Sequence, residues 1–162
     1  MAVRMTAPDE PLKLDRLQRD ILAPQIASFL AAAPDTATRA PYLALRDAVD
    51  DLEIPPELAA RLGAIAEVLL TSGRVRNLYG PGAELSLWSL FQRTPRGREV
   101  AASVEVANAA LKRLAGAQIE SISTIARGPG AYALIIKTGE LQMVVRFEAA
   151  GIRLENVELG AD

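Results

Sequence analysis

Between Ile119 and Leu159 the chain carries four short apolar runs parted by turn residues: Ile119–Ala126, Ala131–Lys137, Glu140–Glu148 and Ile152–Leu159. Runs of this length and spacing predict an antiparallel meander. Arg127-Gly-Pro-Gly130 and Thr138-Gly139 supply turn signals between strands. The third run alternates most cleanly. Leu141, Met143, Val145 and Phe147 share one face, and Gln142, Val144, Arg146 and Glu148 share the other. That is the pattern of a sheet covered on one side and wet on the other. The fourth run starts in phase with Ile152 and Leu154, but Val157 and Leu159 fall on the opposite parity. A β-bulge at Glu155-Asn156 would restore one continuous apolar face. Ala131–Ile136 is apolar on both faces, which predicts a central strand or one at a contact.

Before Ile119 the period changes from two to the helical 3.6. Asp9-Glu10-Pro11 reads as a helix start, followed by an apolar stripe at Leu14, Leu17 and Ile21 and by Asp15/Arg19 and Arg16/Asp20 pairs on the other side. Pro24 is expected to kink or split that helix. A second helix is expected from Thr38 or Ala40 to about Leu52, and a third from Pro56 to Ser72 with Gly73 closing it. Arg74 to Gly82 reads as an irregular segment or short strand. A short helix over about Ala83–Gln92 is apolar nearly all round, which predicts burial or an interface. Thr94-Pro95 is an N-cap followed by proline at the first helical position, opening a last helix that runs to about Ala115.

The fold class this predicts is α+β: about five N-terminal helices, then a C-terminal four-stranded antiparallel meander packed against helices. At 162 residues a single domain is the simplest organisation, with residues 1–10 a loose leader, 11–116 helical and 117–160 the sheet.

Composition narrows the chemistry. The chain has no cysteine and no histidine. Disulfides, thiolate nucleophiles, Cys-based zinc sites, Ser-His-Asp triads and the commonest general base are excluded. An enzyme would have to work through carboxylates, Tyr, Lys, Ser, backbone groups or a borrowed cofactor. A net charge of −2 supplies no strong field, so nucleic-acid binding is not expected. No stretch approaches the ~18 apolar residues of a membrane span, and no signal-like apolar region precedes Leu14. A cytoplasmic protein is expected. The basic residues are arginines apart from Lys13, Lys112 and Lys137, a bias of GC-rich bacterial genomes.

Four groups of residues are candidates for binding. Arg74, Arg76, Asn77 and Tyr79 stand beside Gly80-Pro-Gly82; two arginines at i,i+2 share a side if the segment is extended, and arginine grips carboxylate or phosphate. Their alternative is an inter-helix connection pairing with surface acids. Arg93, Arg96 and Arg98 crowd an expected helix N-terminus, which attracts anions, or they pair with acids elsewhere. Asp47, Asp50, Asp51 and Glu53 lack the spacing of a calcium loop and read first as a solvated face. Trp88, with Phe91, Tyr132 and Phe147, could line a pocket, although core packing is the default. No metal or cofactor is expected. The leading functional expectation is a non-enzymatic interaction protein (adaptor, regulator, chaperone or immunity-type partner) that binds another protein or itself as a homodimer. The competing one is a small-molecule pocket protein or a carboxylate-, Tyr- or Arg-based isomerase, cyclase or hydrolase.

Overall fold

The computed structural model describes residues 10–148 and 151–159, with the side chains of 156–159 outside that description; all but Glu10 of the expected leader lies outside it too. Among the described residues six helices precede a four-stranded antiparallel sheet, the expected α+β class. The chain forms two compact units, 1–98 and 99–162.

In the first unit the opening differs from expectation. Leu12–Lys13 form a short strand, β1, paired antiparallel with β2, Glu53–Ile54. Helix α1 then runs Arg16–Ala32. Asp15 decides the start: its Oδ1 accepts from the Gln18 N–H at 2.8 Å, and Gln18 Oε1 accepts from the Asp15 N–H at 3.0 Å. This reciprocal capping box holds Asp15 at the helix end, away from Arg19. Arg19 pairs with Asp20 at 2.8 Å instead. Leu14 is buried ahead of the helix and Leu17 is exposed, so the inward stripe is Ile21, Leu22, Ile26 and Leu30. Pro24 lies within α1 without splitting it.

Helix α2, Thr36–Asp50, starts earlier than expected because Asp35 caps it. The Asp35 carboxylate accepts from the Thr38 N–H at 2.8 Å and from its hydroxyl at 3.1 Å, and these bonds hold its pKa below the ordinary value. Helix α3, Pro56–Thr71, matches its expected bounds, and Gly73 adopts the left-handed conformation (φ 68°) that a side chain would resist. Arg74–Tyr79 is not a strand or irregular: it is a six-residue helix, α4, between Gly73 and Gly80. Helix α5 covers Pro81–Phe91 and α6 covers Pro95–Leu111.

At the start of α6, buried Thr94 works as the sequence implies. Its Oγ1 accepts from the Gly97 N–H at 3.2 Å and donates to the Phe91 carbonyl at 2.6 Å. Two glycines make room for this cap. A Cβ on Gly63 of α3 would lie 2.9 Å from Thr94 Oγ1, and one on Gly97 would lie 2.0 Å from the Phe91 oxygen. The core of this unit is Ile21, Leu22, Ile26, Leu45, Val49, Ile54, Leu62, Ile65, Leu87, Leu90 and Phe91.

In the second unit the rest of α6, ended by a 3₁₀ turn over Lys112–Leu114, precedes strands β3 (Ile119–Gly128), β4 (Ala131–Thr138), β5 (Leu141–Glu148) and β6 (Gly151–Leu159). They pair in the order β3-β4-β5-β6, so two-sided apolar β4 is internal, as its composition implied. The expected bulge is present. Val145 pairs with Leu154 and Val144 with Asn156, leaving Glu155 as the extra residue. Val157 and Leu159 thereby return to register with Met143 and Leu141. Ala107 and Ala110 of α6 pack on Met143 and Val145, with Leu111, Leu114, Leu134, Leu141, Ile152 and Leu154 around them.

Candidate functional site

The arginines singled out by sequence are used largely within the first unit. Arg93 Nη2 donates to the Lys13 carbonyl at 3.0 Å, and Arg98 Nη1 donates to the Arg93 carbonyl at 3.1 Å. Arg96 pairs with Glu67 of α3 at 3.3 Å. These contacts fasten the start of α6 to its neighbours. Because α4 is helical, Arg74 and Arg76 do not share the side that an extended segment would give them. Arg76 reaches Glu84 at 3.3 Å, while Asn77 and Tyr79 are exposed. Arg74 stands at a groove of about 450 Å³ with Phe29 of α1 and Val68 and Leu69 of α3.

Trp88 is exposed on one side and stacks on Phe91 at 5.5 Å between ring centres. It edges a shallow groove with Leu70, Thr71, Glu84 and Leu85. Tyr132 and Phe147 are cross-strand partners in the second unit. Of the acidic group, Asp47 pairs with Arg46 at 2.7 Å, Asp51 ends α2, and Glu53 lies opposite Lys13 in the β1–β2 ladder. Among the described residues no group of three His, Cys, Asp or Glu side chains is placed to hold a metal ion. Nor is any described helix long and apolar enough to cross a membrane.

The feature that sequence reasoning missed is the exposure of β3. It is an edge strand of ten residues, and every one of them is exposed. Its register with β4 slips at both ends, between Ile119 and Ser121 and between Ala126 and Gly128, so Glu120 and Arg127 sit at the irregularities. The regular stretch between them, Ser-Ile-Ser-Thr-Ile-Ala over 121–126, carries no charge, proline or glycine. Natural sheets blunt their edges with charges and proline, because an edge presents unpaired N–H and C=O groups to any passing strand. Here charges and irregular pairing occupy only the two ends of the edge.

Register extends this edge into an apolar surface. Ile122 pairs with Ile136, which pairs with Met143, so all three lie on the helix-bearing face. On that face α6 covers β5, β6 and Leu134. Ile122 stays 58% exposed, Tyr132 54% and Phe147 39%. The opposite face is roofed differently. Arg146 lies 2.6 Å from Glu148 and 2.7 Å from Glu155, and Arg127 approaches Glu155 at 3.9 Å. Beneath this chain of ion pairs Ala133 and Val144 are buried. One face of the sheet is therefore closed by charge, while the β3 side of the other stays open and apolar. The Ile119–Ile122–Ile125 spacing of three fits neither a helix stripe nor strand alternation, and was the available signal that this strand has no single buried face.

No family model, curated protein or solved structure matches the chain.

Proposed function

We propose that this chain is a non-enzymatic interaction protein, of the adaptor, regulator, chaperone or immunity-partner kind, that docks another polypeptide along β3. The observation that carries this reading is the uncharged, wholly exposed stretch Ser121–Ala126 on a sheet edge, beside exposed Ile122, Tyr132 and Phe147. Strand addition suits such an edge. Main-chain hydrogen bonds supply affinity, and alternate side chains supply selectivity. Tyr132 and Phe147 are of the aromatic kind enriched at the centres of protein interfaces.

A second reading, a small-molecule binder, has one observation in its favour: the groove between α1 and α3, apolar at Phe29, Val68 and Leu69 and cationic at Arg74.

Photo-cross-linking in cells separates docking at β3 from contacts elsewhere. A photoreactive residue at Ser123 is expected to give discrete protein adducts. The same residue at Asp50, exposed on α2, is expected to give none. Adducts that are equal at the two positions, or missing at Ser123, contradict the proposal.

A further inference from the structure

The reading of β3 as a docking edge leaves its partner open, and the following step rests on that reading. We infer that the strand paired to β3 is the β3 of a second copy of this chain, antiparallel and centred on Ser123. A strand that pairs antiparallel with itself must be complementary to its own reverse, and β3 is. It carries its acid, Glu120, near one end and its base, Arg127, near the other, with an uncharged stretch between. Turned about Ser123, each Glu120 falls within one residue of the other copy's Arg127, at both ends of the pairing. A parallel pairing would instead set like charges together.

The side chains agree with that centre. Ile122 falls opposite Thr124 of the second copy, and Ser121 falls opposite Ile125, so the pairs flanking the central Ser123–Ser123 pair each contain a β-branched residue. Faces are preserved as well, because residues on opposite sides of the centre have the same parity. The helix-bearing faces of the two copies would therefore form one continuous surface, with the exposed Ile122 side chains next to its middle. The charges are available for this. Among the described residues Glu120 has no ion pair, and Arg127 has only its 3.9 Å approach to Glu155. Half of the backbone N–H and C=O groups of Ser121–Ala126 point away from β4, as in any edge strand, and self-pairing would satisfy them without a further protein.

Sedimentation equilibrium of the full chain across a hundredfold range of concentration tests this. The unaltered protein is expected to pass from monomer to dimer. Glu120→Arg and Arg127→Glu alone are each expected to raise the dimer Kd about threefold to tenfold, since each disturbs two symmetry-related exposed pairs. The double swap is expected to return Kd to within about twofold of the unaltered value. Ser123→Lys places two ammonium groups against each other at the centre and is expected to give monomer, with unchanged circular dichroism showing that the fold is kept. A protein that is monomeric at every concentration overturns self-pairing while leaving cross-links at Ser123 to a different protein intact. A dimer indifferent to Ser123→Lys, or a double swap no better than the singles, overturns this pairing.

Discussion

Gly97→Ala is expected to destabilise the first unit by about 2 kcal/mol or more, although alanine is the better helix former. Two effects oppose each other. Alanine gains roughly 1 kcal/mol over glycine inside a helix. Against this, the new Cβ would stand 2.0 Å from the Phe91 carbonyl oxygen and 2.7 Å from the Gln92 Cα, both backbone atoms that no rotamer change can move. Overpacking of this kind costs about 1–3 kcal/mol and sometimes more. The shift needed to relieve it also pulls the Gly97 N–H from Thr94 Oγ1, loosening a cap worth about 1 kcal/mol. The clash therefore wins. Urea unfolding measures the loss, and Gly82→Ala is the control: it lies in the first turn of α5 with nothing within 4 Å of its added Cβ. That variant is expected to be neutral or slightly stabilised.

Met143→Ala is expected to cost about 2–5 kcal/mol, the range for truncating a fully buried large side chain. Met143 is 0% exposed, at the centre of the cluster of Ala107, Ala110 and Val145. Two of those neighbours are alanines and cannot extend into the space, so the cavity stays open. Ile122→Thr, two strands away on the same face, is expected to stay within about 0.5 kcal/mol, because Ile122 is mostly exposed and threonine keeps the β-branch. The contrast separates the two roles of this face. Around Met143 it holds the unit together, and around Ile122 it is exposed and lies where docking is proposed. Denaturant midpoints of the two variants, with the slope unchanged, give the comparison.

The sheet was legible in the sequence because each of its signals is local. Alternation in Leu141–Glu148 and glycine turns at Gly130 and Gly139 set three strands within one or two residues. The parity slip after Leu154 placed the bulge at Glu155. In the helical unit, Thr94-Pro95 carried the start of α6 by the same local logic. Where two signals competed, the sequence was ambiguous. Acids and proline at Asp9–Pro11 resemble a helix start, but the capping box at Asp15 and Gln18 outweighs them, and two-residue β1 is too short to show a period. Arg74–Tyr79 is equally short, with glycine on both sides, so its helical turn left no stripe to read.

The candidate site was harder to find. The arginines drew notice for their chemistry, yet Arg93, Arg96 and Arg98 bond to Lys13, Glu67 and Arg93 itself, partners fixed by tertiary structure. The openness of β3 depends on which strands α6 covers, and within β3 only the Ile119–Ile122–Ile125 spacing bears on it.

Amide hydrogen exchange along Ser121–Ala126 tests the proposed contact at β3 most directly. The amides facing β4 are already bonded and are expected to exchange slowly at any concentration. The alternate amides face outward. Pairing at this edge requires that they exchange freely in dilute protein and become protected as concentration rises, while exposed amides elsewhere stay unchanged. Outward amides of β3 that remain as fast as an unstructured peptide at the highest concentration, beside slow amides facing β4, would contradict it.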